Sequence, residues 1–206
     1  MKLSASLYAA SPFDMGAEIE AVAPFVESWH IDIMDGRFAP AFGLNEHLIR
    51  SLPERTGLPL DVHIMAEDTE ALLARFFLPG VRRIAFHAEH DDEIAALAGY
   101  VRRAGVSPWL ALQPEVPLDS VATVLPVLDG LLLLTAPAGG GDFSQQAFDR
   151  IHAVPDGVPV TVDGQIGPAH FDELVAAGVS LAVVGRALFS GDDPSARACR
   201  LSEMAK

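Results

Sequence analysis

Two stretches, WHIDIM (Trp29–Met34) and LDVHIM (Leu60–Met65), carry the reading of the fold. Successive side chains of a β-strand point to opposite faces. One face of the first stretch is therefore Trp29, Ile31 and Ile33, wholly apolar, and the other is His30, Asp32 and Met34. The second repeats the pattern, with Leu60, Val62 and Ile64 opposite Asp61, His63 and Met65. Outward from this pair lie short apolar runs at Leu3–Leu7, Arg83–His87, Ser107–Gln113, Gly130–Leu134, Val158–Asp163 and Leu181–Val184, making eight candidate strands. Helical patterns separate them near Met15–Glu27, Glu46–Leu52, Thr69–Phe77, Asp92–Ala104, Leu118–Val124, Gln145–Ala153, Pro168–Ala177 and Pro194–Met204. Asp14, Asp68 and Asp142 read as helix caps. Gly57, Gly80, Gly105, Gly157 and Gly178 read as helix ends.

Strand and helix alternating in this way predict a parallel sheet with helices outside it. Eight such units predict an α/β protein of the (β/α)8 TIM barrel type, with 206 residues at the low end for that fold. A doubly wound open sheet is the alternative. No linker, low-complexity tract or charge block divides the chain, so residues 1–206 read as one barrel domain. Leu131–Leu134 is apolar on both faces, as a buried parallel strand requires.

Composition narrows the function. With 50% hydrophobic and 20% charged residues, the chain is neither disordered nor a disulfide scaffold. Cys199 is the only cysteine, which fits a reducing compartment. Fourteen basic against 28 acidic residues give a net charge of −14, which repels nucleic acid and anionic membrane. The chain has no run of 18 apolar residues, and its start, MKLSASLYAASPFD, lacks the long apolar stretch of a signal peptide. The expectation is a soluble cytoplasmic protein. The only lysines are Lys2 and Lys206, so a Schiff-base or buried catalytic lysine and the P-loop motif are excluded.

The polar residues of the strands gather at their C-terminal ends: Ser6, His30 with Asp32, His63, His87, Gln113 and Asp163. In a barrel that end carries the active site. His30, Asp32, His63 and Asp163 form a ligand set suited to one divalent ion, Zn, Mn, Fe or Co, among which the sequence does not choose. Such an ion would offset the charge of two buried carboxylates. Other residues have plainer readings. His87 is expected to be a hydrogen-bonded structural residue, and His47, His90, His152 and His170 to be solvated. Asp35 and Asp61 are expected to fix backbone or neighbouring side chains, Trp29 and Trp109 to pack, and Met34 and Met65 to belong to the core. Glycines at three consecutive strand ends suggest a phosphate site: Gly140 and Gly141 in AGGGDF (Ala138–Phe143), Gly164, and Gly185 beside Arg186.

Several segments resemble the ribulose-phosphate 3-epimerase family: HIDIMDGRFAP (His30–Pro40), LDVHIM (Leu60–Met65), VTVDGQI (Val160–Ile166) and AAGVSLAVVGRALF (Ala176–Phe189). SASL (Ser4–Leu7) and FHAE (Phe86–Glu89) resemble its first and fourth strands, so the likeness runs along nearly the whole chain. The resemblance implies a (β/α)8 barrel and an isomerase of carbohydrate metabolism, of the pentose phosphate type, that inverts C3 of a ketose phosphate. It implies one divalent metal on His30, Asp32, His63 and Asp163, with Asp32 and Asp163 as the two acid/base groups and no organic cofactor. It further implies that Ser6 contacts the sugar-phosphate substrate, that Met34 and Met65 line the site, and that the protein is a homo-oligomer.

The chain also departs from the family pattern. The loop after strand six reads APAGGGD (Ala136–Asp142) where the family has a sequence like NPGFGGQ. Gln165 stands where a second glycine is common, Arg186 where a small residue follows the strand-eight glycine, and Ala41 where an Asn is typical. Gln165 and Arg186 are read as narrowing the pocket or contacting the substrate anion, Arg186 with a bidentate fork; a surface ion pair is the plainer role for Arg186. The altered grip leaves open another phosphorylated ketose, such as allulose 6-phosphate, or a barrel that binds a sugar phosphate without turnover. Related barrel decarboxylases use a DxKxxD motif, and Asp32–Arg37 reads DIMDGR, without the lysine.

Overall fold

The computed structural model describes residues 1–206 and shows eight parallel strands closed into a barrel in chain order. The strands are β1 (Lys2–Ser6), β2 (Ser28–Met34), β3 (Leu60–Met65), β4 (Val81–Phe86), β5 (Ser107–Leu112), β6 (Gly130–Leu134), β7 (Val160–Asp163) and β8 (Leu181–Val184). The helices are α1 (Met15–Val22), α2 (Glu46–Arg55), α3 (Thr69–Leu73), α4 (Asp91–Arg103), α5 (Gln146–His152), α6 (Phe171–Ala176), α7 (Arg186–Phe189) and α8 (Pro194–Met204). The predicted TIM barrel is what forms, and the open-sheet alternative is overturned by the pairing of β1 with β8. No helix is long and apolar enough to cross a membrane.

Alternation along the strands divides the apolar residues into two regions. Outward-facing Ile31, Leu60, Ile64, Ile84, Leu110 and Leu131 are fully buried against the helices. Each such side chain contributes about 1.5–3 kcal/mol. Inside the ring a smaller cluster of Ala85, Trp109, Ala111, Leu132 and Val183 fills the centre. Trp29 packs outward and donates its indole N–H to Thr56 Oγ1 at 3.1 Å. Trp109 packs inside, with the Arg83 guanidinium 4.4 Å from its ring centroid. The Met1 ammonium donates to the Ala205 carbonyl at 2.9 Å, closing the chain ends together at the barrel's N-terminal end.

Four local expectations are corrected. No α-helix joins β5 to β6: Leu118–Val121 and Leu125–Val127 are 3-10 turns. Pro117 and Pro126 flank the intervening residues, and proline cannot continue a hydrogen-bonded helix. Asp142 caps nothing, because α5 starts after Gln145, and the Ser144 N–H is drawn instead to the Thr135 carbonyl at 2.7 Å. Asp14 also makes no side-chain cap, whereas Asp68 accepts from Ala71 N–H at 3.1 Å. Among the five helix-end glycines, Gly105 takes φ +78, which lets the Val106 N–H reach back to the Val101 carbonyl. Gly57 alone lies outside the left-handed region.

Candidate active site

Register places the site. β2 and β3 pair Asp32 with His63 and Met34 with Met65, and His30 with Asp61 one layer below. β1 pairs Ser6 with His30, and β6 pairs Leu134 with Asp163. β7 stands three strands from β2 around the ring, through β8 and β1. Asp32 and Asp163 therefore enter one cluster from different sides.

The quartet named from the sequence converges: ligand atoms of His30, Asp32, His63 and Asp163 all lie within 4.8 Å of one another. His30 Nε2 is 3.2 Å from Asp32 Oδ1 and 3.4 Å from Asp163 Oδ2. His63 Nδ1 is 3.6 Å from each of the same oxygens. Atoms bound about 2.1 Å from a tetrahedral zinc ion stand about 3.4 Å from each other. The spacing is that of a ligand shell. His30 Nε2 and His63 Nδ1 are fully buried and lack hydrogen-bond partners. Buried polar atoms without partners are costly, and a divalent ion would satisfy both nitrogens and neutralise both carboxylates. The residues fit one such ion.

Without an ion, the charges lean on each other. Burial lowers the His30 pKa, but Asp32 and Asp163 more than reverse this and raise it to about 10. Burial raises the Asp32 pKa, and His30 drives it well below the usual carboxylate range. Burial likewise raises Asp163, and His30 brings it below its ordinary value. The Ser6 hydroxyl donates to Asp32 Oδ2 at 2.8 Å, so the residue expected to touch substrate also orients a carboxylate.

Above the cluster opens a cavity of about 730 Å³. Ser6, Asp32, His63 and Asp163 form its floor, while His30 lies beneath it. Met34 and Met65 are buried against Ala39 and also line the cavity, so they belong both to the core and to the site wall. Gly140, Gly164, Gln165, Gly185 and Arg186 form part of the rim; Gly141 lies outside the lining. Gly164 must be glycine: its φ is +121, and a Cβ there would sit 2.6 Å from Ala136 N. Gln165 is the only non-glycine residue in the left-handed region, at φ +56. Its side-chain oxygen accepts from the Arg186 guanidinium, so Arg186 has an amide partner here and makes no ion pair. Arg186 is also the one arginine or lysine lining the cavity.

The plainer readings sort as follows. Asp35 accepts from the N–H groups of Arg37, Phe38 and Glu67, fixing the backbone as expected. Asp61 holds Arg82, Arg83 and Ser28. His47, His90 and His152 are exposed; His170 is half-buried and stacks on Phe143. Sequence reasoning missed Tyr8, Gly139 and Ser190 on the cavity wall, none of which sits in a strand. It also missed what His87 touches: its Nε2 is 2.9 Å from His63 Nε2. The signal was available, since His87 follows β4 immediately and β4 pairs with β3. Gln113 accepts from the Ala138 N–H at 3.1 Å and so anchors the glycine-rich loop.

Comparisons with known proteins bear on the family and the fold. The model of the family described as "Ribulose-phosphate 3 epimerase family" matches residues 2–189. The ribulose-phosphate 3-epimerase of Mycobacterium bovis is 30% identical, with 90% of this chain and 86% of that protein covered. The protein of the same name from Aquifex aeolicus is 25% identical, with 99% and 97% covered. Among solved structures, 3-hexulose-6-phosphate synthase from Salmonella typhimurium superposes with a TM-score of 0.79 at 16% identity, covering 100% and 98%, a likeness of fold alone.

Proposed function

The chain belongs to the ribulose-phosphate 3-epimerase family, and on that premise we propose that it inverts C3 of a ketose phosphate of the ribulose 5-phosphate/xylulose 5-phosphate type by proton transfer between Asp32 and Asp163. The observation that carries this reading is the entry of two carboxylates, from strands three apart in the ring, into one buried cluster beneath an open cavity. The C3 proton is weakly acidic because a ketone stands next to it, and its removal leaves negative charge on the C2 oxygen. A divalent ion held by His30, Asp32, His63 and Asp163, whether Zn, Mn, Fe or Co, would supply Lewis-acid stabilisation of that charge.

The chain's own groups do the rest. Inversion requires removal of a proton from one face of the carbon and delivery to the other, so it needs two carboxylates and exchange of their roles in the reverse direction. Asp32 is fixed by the Ser6 hydroxyl; Asp163 has no such hydroxyl and is the more exposed of the two. Met34 and Met65 form an apolar wall that keeps water from the reacting carbon. The phosphate is assigned to the rim, where backbone N–H groups near Gly140, Gly164 and Gly185 meet the Gln165–Arg186 pair. In a chain of net charge −14, one arginine on the cavity wall is the natural contact for an anion. Homo-oligomeric assembly follows from the family likeness, and a cytoplasmic location from the composition of the chain.

Another phosphorylated ketose, such as allulose 6-phosphate, is the alternative, because Gln165 and Arg186 replace the small residues usual at this rim and reset the distance from anion to carboxylates. In deuterium oxide, the enzyme should place one deuteron at C3 of ribulose 5-phosphate, followed by NMR. Asp32→Asn and Asp163→Asn should each slow that exchange by about 10²–10⁴-fold. Undiminished exchange in both variants would remove the two-carboxylate mechanism. Exchange on allulose 6-phosphate but not on ribulose 5-phosphate would transfer the assignment to the longer sugar.

A further inference from the structure

His63 presents Nδ1 to Asp32 and Asp163, and that atom is buried without a hydrogen-bond partner. Its other ring nitrogen meets the Nε2 of His87 at 2.9 Å. Two nitrogens at that distance share one proton, so one imidazole donates and the other accepts. Which one donates decides whether His63 turns a lone pair or an N–H toward the carboxylates.

The His87 ring is buried. The Phe38 ring covers one side, with centroids 4.6 Å apart, and Phe38 is itself tied down through its N–H to Asp35. A neutral imidazole carries a single N–H. His63 Nδ1 can ligate an ion between Asp32 and Asp163 only through a lone pair, so the ring proton of His63 sits on Nε2. His87 Nε2 is then the acceptor of that proton.

We propose that His87 is a positioning residue that sets the His63 tautomer, aiming the His63 Nδ1 lone pair between the two carboxylates before any ion arrives. The inference rests on the metal reading of the cluster and deepens it. A lone pair facing two carboxylates is repulsive, and only a cation between them makes the arrangement favourable. The His87–His63 pair thus holds the site in a form ready for a cation, which hydrogen bonds behind a ligating histidine are known to do.

The test uses the full-length protein, stripped of metal, with Mn²⁺ and Zn²⁺ titrated against a chromophoric chelator. His87→Phe keeps a planar ring and removes the acceptor; it should weaken both ions about 10–100-fold. His87→Gln restores a carbonyl acceptor and should recover most of that loss. Affinity in His87→Phe within twofold of wild type would overturn the role of His87. Long-range ¹H–¹⁵N spectra of the metal-free wild type give a second readout that needs no variant to fold. They should show His63 protonated at Nε2, and a proton at Nδ1 would overturn the proposal. Wild-type protein that takes up neither ion would overturn the metal reading itself, an outcome distinct from failure of His87 alone.

Discussion

Asp32 and Asp61 are neighbours on adjacent strands, one layer apart inside the barrel, and both are buried. Their surroundings differ. Asp61 receives Arg82 through two nitrogens at 3.1 and 2.9 Å, Arg83 at 2.9 Å and the Ser28 hydroxyl at 2.6 Å. Arg83 continues to Thr161 Oγ1 at 3.2 Å, so the lower layer is closed on itself. Asp32 has one hydroxyl and two imidazoles, whose facing nitrogens, at 3.2 and 3.6 Å, make no hydrogen bond. The fold can therefore neutralise a buried carboxylate with fixed arginines, and does so one layer below the site. In the upper layer no arginine enters the cluster, and a bound cation would supply the positive charge that the arginines supply below. The lower layer serves stability, while the upper layer keeps its carboxylates free of arginine.

Exchanging the roles of the layers breaks the comparison most sharply. Asp61→Asn leaves two guanidinium groups without their shared carboxylate and should cost about 3 kcal/mol. For a chain of this size that lowers Tm by about 6–12 °C. Metal stoichiometry and C3 exchange by the folded fraction should remain at wild-type levels. Calorimetry and elemental analysis read the two effects separately, and lost stoichiometry in a folded Asp61→Asn protein would join the layers into one site.

Acidity gives a second test, confined to the upper layer. In metal-free protein His30 titrates near 10 against 6.5 when unfolded, so its contribution to stability is complete below pH 6.5 and is lost as pH rises through about 10. Asp32 and Asp163 are depressed, so their contributions are complete above the unfolded carboxylate range and are lost as pH falls through their folded values. The Tm of the metal-free protein should therefore fall steadily from pH 6.5 to 10. A saturating divalent ion, which takes the place of the His30 proton, should flatten that limb. Parallel limbs with and without the ion would place the ion elsewhere.

The smallest expected effect lies at the rim. Arg186→Ala should raise KM for the phosphorylated substrate about threefold to fivefold with little change in kcat, as suits an exposed charge. An unchanged KM would reduce the Gln165–Arg186 pair to a surface contact.

Much of this was legible in the chain. The alternation in WHIDIM and LDVHIM fixed which faces turn inward, and a closed ring then had to bring His30, Asp32, His63 and Asp163 to one end. What escaped was tertiary. His87 follows its strand by one residue, so strand order sets it beside β3, but only the packed barrel shows that its ring reaches His63. Asp142 has the look of a cap, yet the local chain is held to Thr135 and the helix starts later. The prolines around Leu118–Val127 favour 3-10 turns over a helix, a local rule outvoted on paper by the expectation of eight equal units.

The meeting of Met1 with Ala205 has a practical consequence. Both lysines, Lys2 and Lys206, gather at the end of the ring opposite the cavity. Reagents that couple to lysine amines will tether this barrel by its underside, leaving the cavity turned toward the solution.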